Sequence, residues 1–412
     1  MVTTTESPSS SPSAPDPAVR LAFAALVGAM LPAVLDQTIL ATALPTIASD
    51  LGRLTDVSWL VTAYVVAATA STPLWGKLGD RLGRGRLLQV ALGWFVLASA
   101  ACGLAQDMTQ LIVLRGVQGI AAGGLMTLAM AAVGDLVAPR ERGRYQGYIA
   151  ATFAGATVLG PLVGGALVDG AGWRWVFYVN LPVGALALVG LAAKLPAARV
   201  ERARSRLDLS GAVLLVGATV ALMLACVWGG ERYGWGSAEV VGLFAVAAAG
   251  AAGFVLRERR AADPLVPLAL LARPAVAVAS VALFLTTAAL FAVVVFVPLF
   301  LQRVTGASPT GAGLLLVPMM LGTTISTNVA GRRIARTGRY KRYPILGLGM
   351  MSAALFALAA LAGERSAALT LIVLALFGLG FGLVTQVLVV AVQNGVDRRE
   401  LGTATAASSF FR

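Results

Sequence analysis

The chain has 412 residues, of which 58% are hydrophobic and only 12% charged. Soluble domains carry about a quarter charged residues, so a water-soluble fold of this size is excluded, as is disorder beyond the first twenty residues. No histidine and only two cysteines are present, which removes histidine triads, imidazole relays, tetrahedral zinc and a disulfide framework.

What remains is an all-α integral membrane protein. Residues 1–19, rich in Ser and Pro, read as a disordered cytoplasmic tail; they lack the basic start and short apolar core of a signal peptide. A bilayer core takes about 20 apolar residues of helix. Twelve stretches meet that length, at about 21–48, 57–78, 87–106, 110–136, 146–168, 175–194, 209–229, 238–256, 275–301, 308–330, 343–363 and 367–392. With the amino terminus inside, the segments on the cytoplasmic side hold 25 of the 32 Lys and Arg residues and the opposite loops hold 5. The net charge of +13 is therefore an orientation signal, with anionic membrane lipid as its partner and not nucleic acid.

In chain order, Asp36 comes first. It lies within span 1, in LPAVLDQTILATALPTI (31–47). A carboxylate there is expensive and faces a protein interior or a water cavity, which suits a group that loads and releases a proton. The bland alternative is a carboxylate near the outer interface, hydrated where Leu44-Pro45 breaks the helix. Next, the loop after span 2 combines the turn glycines Gly76 and Gly83 with Asp80, Arg81 and Arg84, and Asp135 at the end of span 4 is the expected ionic partner of Arg84. Such charges at helix ends can latch one access state; fixing orientation alone is the simpler role.

Span 4 holds Arg115 in LIVLRGVQGIAAGGL (111–125), with Gln118 beside it and glycines for close packing. The relation of Arg115 to Asp36, a direct pair or a competition for one proton, stays open at this level. Span 5 carries Gly147, Gly155, Gly160, Pro161, Gly164 and Gly165, which predicts a bent, closely packed helix acting as a gate, or else a static packing helix. Phe284, Phe291 and Phe296 line span 9. Gln386, Gln393 and Asn394, in or near span 12, are expected to serve helix–helix hydrogen bonds, the alternative being that they line a substrate path. Cys102 and Cys226 read as small apolar residues. No GxxxxGK[ST] loop occurs, so nucleotide drive within this chain is excluded, and no cofactor or metal is expected.

An internal repeat is visible. Gly76, Gly83 and Arg84 match Gly331, Gly338 and Arg339 at an offset of 255, each set in a basic turn between two spans, as in duplicated transporters. Spans 9–12 then repeat spans 1–4. Asp36 has Phe291 as its counterpart, so the second half holds no matching acid. A full duplication needs fourteen spans, and a small-residue helix begins at 402–411, so the sequence predicts a chain cut short, the alternative being a natural twelve-span protein with an uneven 6+6 split. The expected organisation is the tail, a six-helix bundle at 20–195, a two-helix insertion at 196–273 and a partial second bundle at 274–412 with four helices and the start of a fifth.

These segments together resemble the major facilitator superfamily and, within it, the fourteen-span drug:proton antiporters. LDQTILATALPTI (35–47) resembles the branch's span 1 signature, with Ala41 where asparagine is common. GKLGDRLGRGR (76–86) is similar to the family's loop motif GxLaDrxGrk, departing at Gly79 and Gly85, and LIVLRGVQG (111–119) resembles the span 4 pattern. The span 5 pattern G-x8-G-x3-GP-xx-GG is met at Gly147, Gly160, Pro161, Gly164 and Gly165, with Ala156 in place of one glycine, and WRWVFYVNLPVG (173–184) also looks like this branch. The resemblance implies two bundles rocking about a central cavity and export of drug-like small molecules coupled to inward proton flow across a plasma membrane. It also implies that Asp80 latches onto a helix of the second half, expected to be one that is missing here. A metabolite facilitator of the same fold and a non-transporting scaffold are the rival readings; an enzyme is not expected.

Overall fold

The computed structural model describes residues 17–52, 56–137, 141–194, 208–230, 232–261, 264–265, 268–305, 316–361, 367–397 and 400–412. The expected tail up to residue 16 and the first residues of the tenth expected span, 308–315, lie outside the described residues. The helices are α1 (Pro17–Leu51), α2 (Ser58–Leu82), α3 (Arg84–Gly103), α4 (Met108–Leu136), α5 (Arg142–Gly170), α6 (Trp175–Tyr178), α7 (Asn180–Lys194), α8 (Leu209–Trp228), α9 (Ala238–Glu258), α10 (Leu268–Leu271), α11 (Pro274–Thr305), α12 (Val317–Thr337), α13 (Arg342–Ala360), α14 (Ala367–Asn394) and α15 (Leu401–Phe411).

Among the described residues, nine helices are long and apolar enough to cross a membrane: α1, α3, α4, α6–α7 taken together, α8, α9, α11, α13 and α14. Helices α2, α5 and α12 run for 25, 29 and 21 residues. They have the length, since 20 residues rise about 30 Å, but are richer in Gly, Ser, Thr and Arg. Several starts are fixed by side chains: Asp107 accepts from Gln110 N–H at 2.8 Å, Asp208 from Gly211 N–H at 3.0 Å and Ser237 from Val240 N–H at 3.3 Å, each relieving an orphan donor of a first turn.

Three boundaries differ from expectation. Helix α1 takes in residues 17–19 and continues through Pro32 and Pro45 to Leu51, so no break at Leu44-Pro45 hydrates Asp36. Span 6 is divided at Val179 into α6 and α7. Helix α12 runs on to Thr337, so the basic turn expected over 331–344 shrinks to the few residues between α12 and α13.

The repeat is carried by backbone and packing. Gly83 (φ +94°) and Gly338 (φ +68°) end α2 and α12, and each N–H reaches back to the carbonyl four residues earlier, Gly79 and Ile334. These angles suit glycine. Gly119 and Gly123 of α4 abut the carbonyls of Tyr64 and Ala68 on α2, as Gly378 and Gly382 of α14 abut those of Met319 and Thr323 on α12. The offset is thus 255 for the α2–α12 pair and 259 for the α4–α14 pair. The extra residues sit in the turn: α3 begins at Arg84, directly after Gly83, whereas α13 begins at Arg342. The expected match of Arg84 with Arg339 therefore does not hold in space, although both glycines do. The same register carries Glu141, before α5, onto Glu400, before α15, so α15 repeats the start of α5.

Helices α1–α7 share buried apolar clusters, the largest built on Leu26, Tyr64, Phe95 and Leu125, while α11–α15 share another around Leu283, Met319 and Phe377. Helices α8 and α9 pack on each other, and α8 rests on α2. The two sets meet through α5 on α12 and α14, and through α15 on α2 and α4.

Candidate functional site

Two polar constellations stand on α4, at Arg115 and Asp135, about 30 Å apart by helical rise. The first is deep in the α1–α7 set. Arg115 NH1 donates to Asp36 Oδ2 at 2.5 Å and to Gln118 Oε1 at 2.6 Å, and Arg115 Nε donates to the Leu60 carbonyl at 3.2 Å. Gln118 Nε2 and Asn180 Nδ2 donate to Asp36 Oδ1 at 3.1 and 3.0 Å. Both amides also donate to Ser99 Oγ, at 3.0 and 2.9 Å, which in turn donates to the Phe177 carbonyl. The guanidinium lies 4.2 Å from the Tyr64 ring centroid, a cation–π contact. Asp36, Arg115 and Gln118 are all buried.

The relation left open by the sequence is therefore a direct ion pair. A buried pair is stable only when its remaining hydrogen-bonding capacity is met, and here the carboxylate has three side-chain donors. Loss of its charge on protonation weakens the hold on Arg115 and frees the amides to turn.

The second constellation lies where α2, α4 and α15 meet. Asp80 accepts from Gly402 N–H at 3.0 Å, and from Thr403 N–H and Thr403 Oγ1 at 2.7 Å each. It caps the N-terminus of α15, where the helix dipole favours negative charge. Arg84 NH2 pairs with Asp80 at 2.6 Å and Arg84 NH1 pairs with Asp135. Gly76 abuts Ala406 and the Gly402 carbonyl, and Gly79 abuts Leu128. Arg81 sits on the last turn of α2. The helix that receives Asp80 is α15, within this chain, contrary to the expectation that it is missing.

Other contacts between the two sets gather at this same end. Arg142 donates to the Gly134 carbonyl and to Asn394 Oδ1, at 2.6 and 2.7 Å. Gln393 Nε2 donates to the Met130 carbonyl at 3.2 Å and to Thr405 Oγ1 at 3.4 Å. Gly147 abuts Asn328. All of these residues lie near the ends that carry the basic loops, so the halves are closed there. At the opposite end a cleft of about 360 Å³ lies among Thr46, Asp50, Trp173 and Arg174.

The span 5 glycines divide. Gly160 abuts Thr38, and Gly164 abuts Thr42 and the Ile39 backbone, on the turns of α1 that follow Asp36. Gly155 and Gly165 face open space, so they do not extend one flat face, and α5 is continuous through Pro161. Phe284, Phe291 and Phe296 are exposed. Gln393 and Asn394 make the helix–helix bonds expected of them, whereas Gln386 Oε1 makes none.

Sequence reasoning missed Asn180, Ser99 and Tyr64 around Asp36. Asn180 had a signal: a lone amide in the apolar run WVFYVNLPVG, two residues before a proline. Ser99 and Tyr64 had none, being ordinary residues of apolar helices.

The family model described as Major Facilitator Superfamily matches residues 26–412. An uncharacterised MFS-type transporter of Mycobacterium tuberculosis (strain H37Rv) is 41% identical over 95% of this chain. The chain spans 57% of that relative's length. The multidrug transporter protein MdtP of Bacillus subtilis (strain 168) is 37% identical over 95% of this chain and 72% of its own. The crystal structure of the human organic anion transporter MFSD10 superposes with a TM-score of 0.70 at 18% identity, over 96% of this chain and 91% of that one.

Proposed function

The chain belongs to the Major Facilitator Superfamily, whose members are multi-pass, non-enzymatic membrane transporters, and on that premise we propose that it serves proton-coupled export of drugs or other amphipathic small molecules. The reading places it in the fourteen-span branch, of which this chain supplies the first twelve spans and the start of the next. Its amino terminus and basic loops lie in the cytoplasm of a plasma-membrane protein. Residues 20–195 form the first bundle, 196–273 the inserted pair and 274–412 the available part of the second bundle.

The observation that carries the reading is the buried Asp36–Arg115 pair, ringed by Gln118, Asn180 and Ser99, with Gly160 and Gly164 of α5 packed on the turns of α1 that follow Asp36. Intramembrane ion pairs are costly and mark proton or substrate paths. In the arrangement seen, the basic-loop side is closed and latched by Asp80. A proton arriving from the opposite side neutralises Asp36 and loosens Arg115. The first bundle then rocks, Asp80 leaves α15, and the cytoplasmic side opens. Binding of an amphipathic compound and release of the proton reset the pair. The names of similar multidrug transporters support the substrate class.

The test is dye efflux and drug susceptibility in a pump-deficient bacterium expressing the gene, with and without a protonophore. Export that stops with the protonophore and with Asp36→Asn supports the reading. Export that persists without a proton gradient replaces it with a facilitator.

A further inference from the structure

The register of the repeat pairs the two seams between the halves residue by residue. Gln146 on α5 stands where Thr405 stands on α15; Gly331 stands where Gly76 stands; Ala335 stands where Asp80 stands. The α2–α15 seam is closely packed and latched. Gly76 lets Ala406 sit directly against α2, and Thr405 Oγ1 accepts from Gln393. The α5–α12–α14 seam is different. It holds a cavity of about 10 Å³ lined by Gln146, Thr327, Gly331, Ile334, Gln386 and Val387.

Gln146 is fully buried, and neither Nε2 nor Oε1 has a hydrogen-bond partner; Gln386 is nine-tenths buried and its Oε1 has none. The Thr327 hydroxyl is already engaged with the Gly382 carbonyl at 3.0 Å. One free donor and two free acceptors thus face a space near the size one water needs. Buried amides without partners are costly, so this seam gains when it opens to polar groups. No charged side chain lines the cavity.

We propose that Gln146 and Gln386 form a polar inner gate, closed in this arrangement. When the halves part at the basic-loop end, the same two amides become a contact for neutral hydrogen-bonding groups of the exported molecule. The proposal rests on the exporter reading for its ligand, but not for the gate itself.

The gate is tested by thiol labelling in the protein expressed from its gene. Gln146→Cys and Gln386→Cys are made singly in a Cys102→Ala, Cys226→Ala background and probed from the basic-loop side with a membrane-impermeant maleimide. Releasing the latch with Asp80→Asn is expected to speed labelling at both positions about tenfold. Equal rates with and without the latch overturn the gate, whether or not the protein exports anything. The ligand is tested by transport kinetics of Gln386→Leu. The expected result is an about tenfold higher KM for chloramphenicol, a neutral amide and alcohol, with an unchanged KM for tetraphenylphosphonium, a cation with no hydrogen-bonding group. Equal changes for both compounds overturn the ligand assignment. Latch-dependent labelling in a protein that exports neither compound upholds the gate and sinks the exporter reading.

Discussion

The two seams that close the molecule at its basic-loop end are built on one plan and filled differently. Where α15 meets α2, an acid caps a helix start, an arginine ties that acid to α4, and a glycine lets two helices touch. Where α5 meets α12, the acid's place is taken by Ala335, and two glutamines stand around a small cavity. Duplication supplies the frame, and side-chain choice decides which seam is a latch and which is a gate. The same asymmetry holds deeper in the fold. Asp36 has a full set of donors in the first set of helices, and its sequence counterpart Phe291 is an exposed phenyl ring.

The comparison breaks most readily at Asp80. Asp80→Ala removes three hydrogen bonds to α15 and the pair with Arg84. Bonds to charged groups contribute about 1.5–3 kcal/mol each, partly offset by solvation, so the closed arrangement is expected to lose about 3 kcal/mol. Spin labels at the exposed positions Leu82 and Ile345 should then report a longer distance across the halves. An unchanged distance would mean that the latch carries no weight.

A smaller effect separates the two glycines. A Cβ at Gly76 runs into Ala406 and the Gly402 carbonyl, so Gly76→Ala should cost about 1–3 kcal/mol and open the latch. Gly331→Ala should be tolerated to within about 1 kcal/mol, because Gly331 borders the cavity and helical alanine is favoured. Thermal stability of the two purified variants checks this; equal losses would erase the distinction between the seams.

Smaller again is the reciprocal change. Ala335→Asp sets a carboxylate at the start of α5, where a charge–dipole contact contributes about 0.3–1 kcal/mol. It should slow maleimide labelling of the gate a few-fold.

Asp208 is a control outside both seams. Its hydrogen bonds from Ser210 Oγ and Gly211 N–H, aided by Arg257, lower its pKa. A lowered folded-state value means that its contribution to the cap of α8 is present above the usual aspartate range, near 4, and is lost as pH falls below it. Hydrogen exchange at the start of α8 should rise only in that acid window.

Much of the frame was legible in the sequence because lipid imposes simple rules. Apolar length located the helices, and paired glycines exposed the repeat. Expensive polar residues singled out Asp36, Arg115 and Gln118, which the structure brings into one cluster. The Arg84–Asp135 pair was legible from charge and position at helix ends. Other features depended on three-dimensional register. The shift of offset from 255 to 259 hides in a turn of a few residues, so Arg339 looked like the partner of Arg84. Asn180 reaches Asp36 only because span 6 breaks at Val179. The seat of Asp80 on α15 required knowing that Gly402 and Thr403 open a helix that packs on α2. Gln146 gave no signal, because an amide at a helix start is unremarkable until its neighbours are known.

The measurement that bears most directly on the central claim is substrate-induced proton release from purified protein in weak buffer. On addition of an exported dye, the native protein should release protons in proportion to dye bound. Asp36→Asn should bind the dye and release none, and its retained binding shows that it has folded despite the broken pair. Equal release from both proteins would contradict the assignment of Asp36 as the coupling carboxyl and, with it, the reading of the buried cluster as a proton switch.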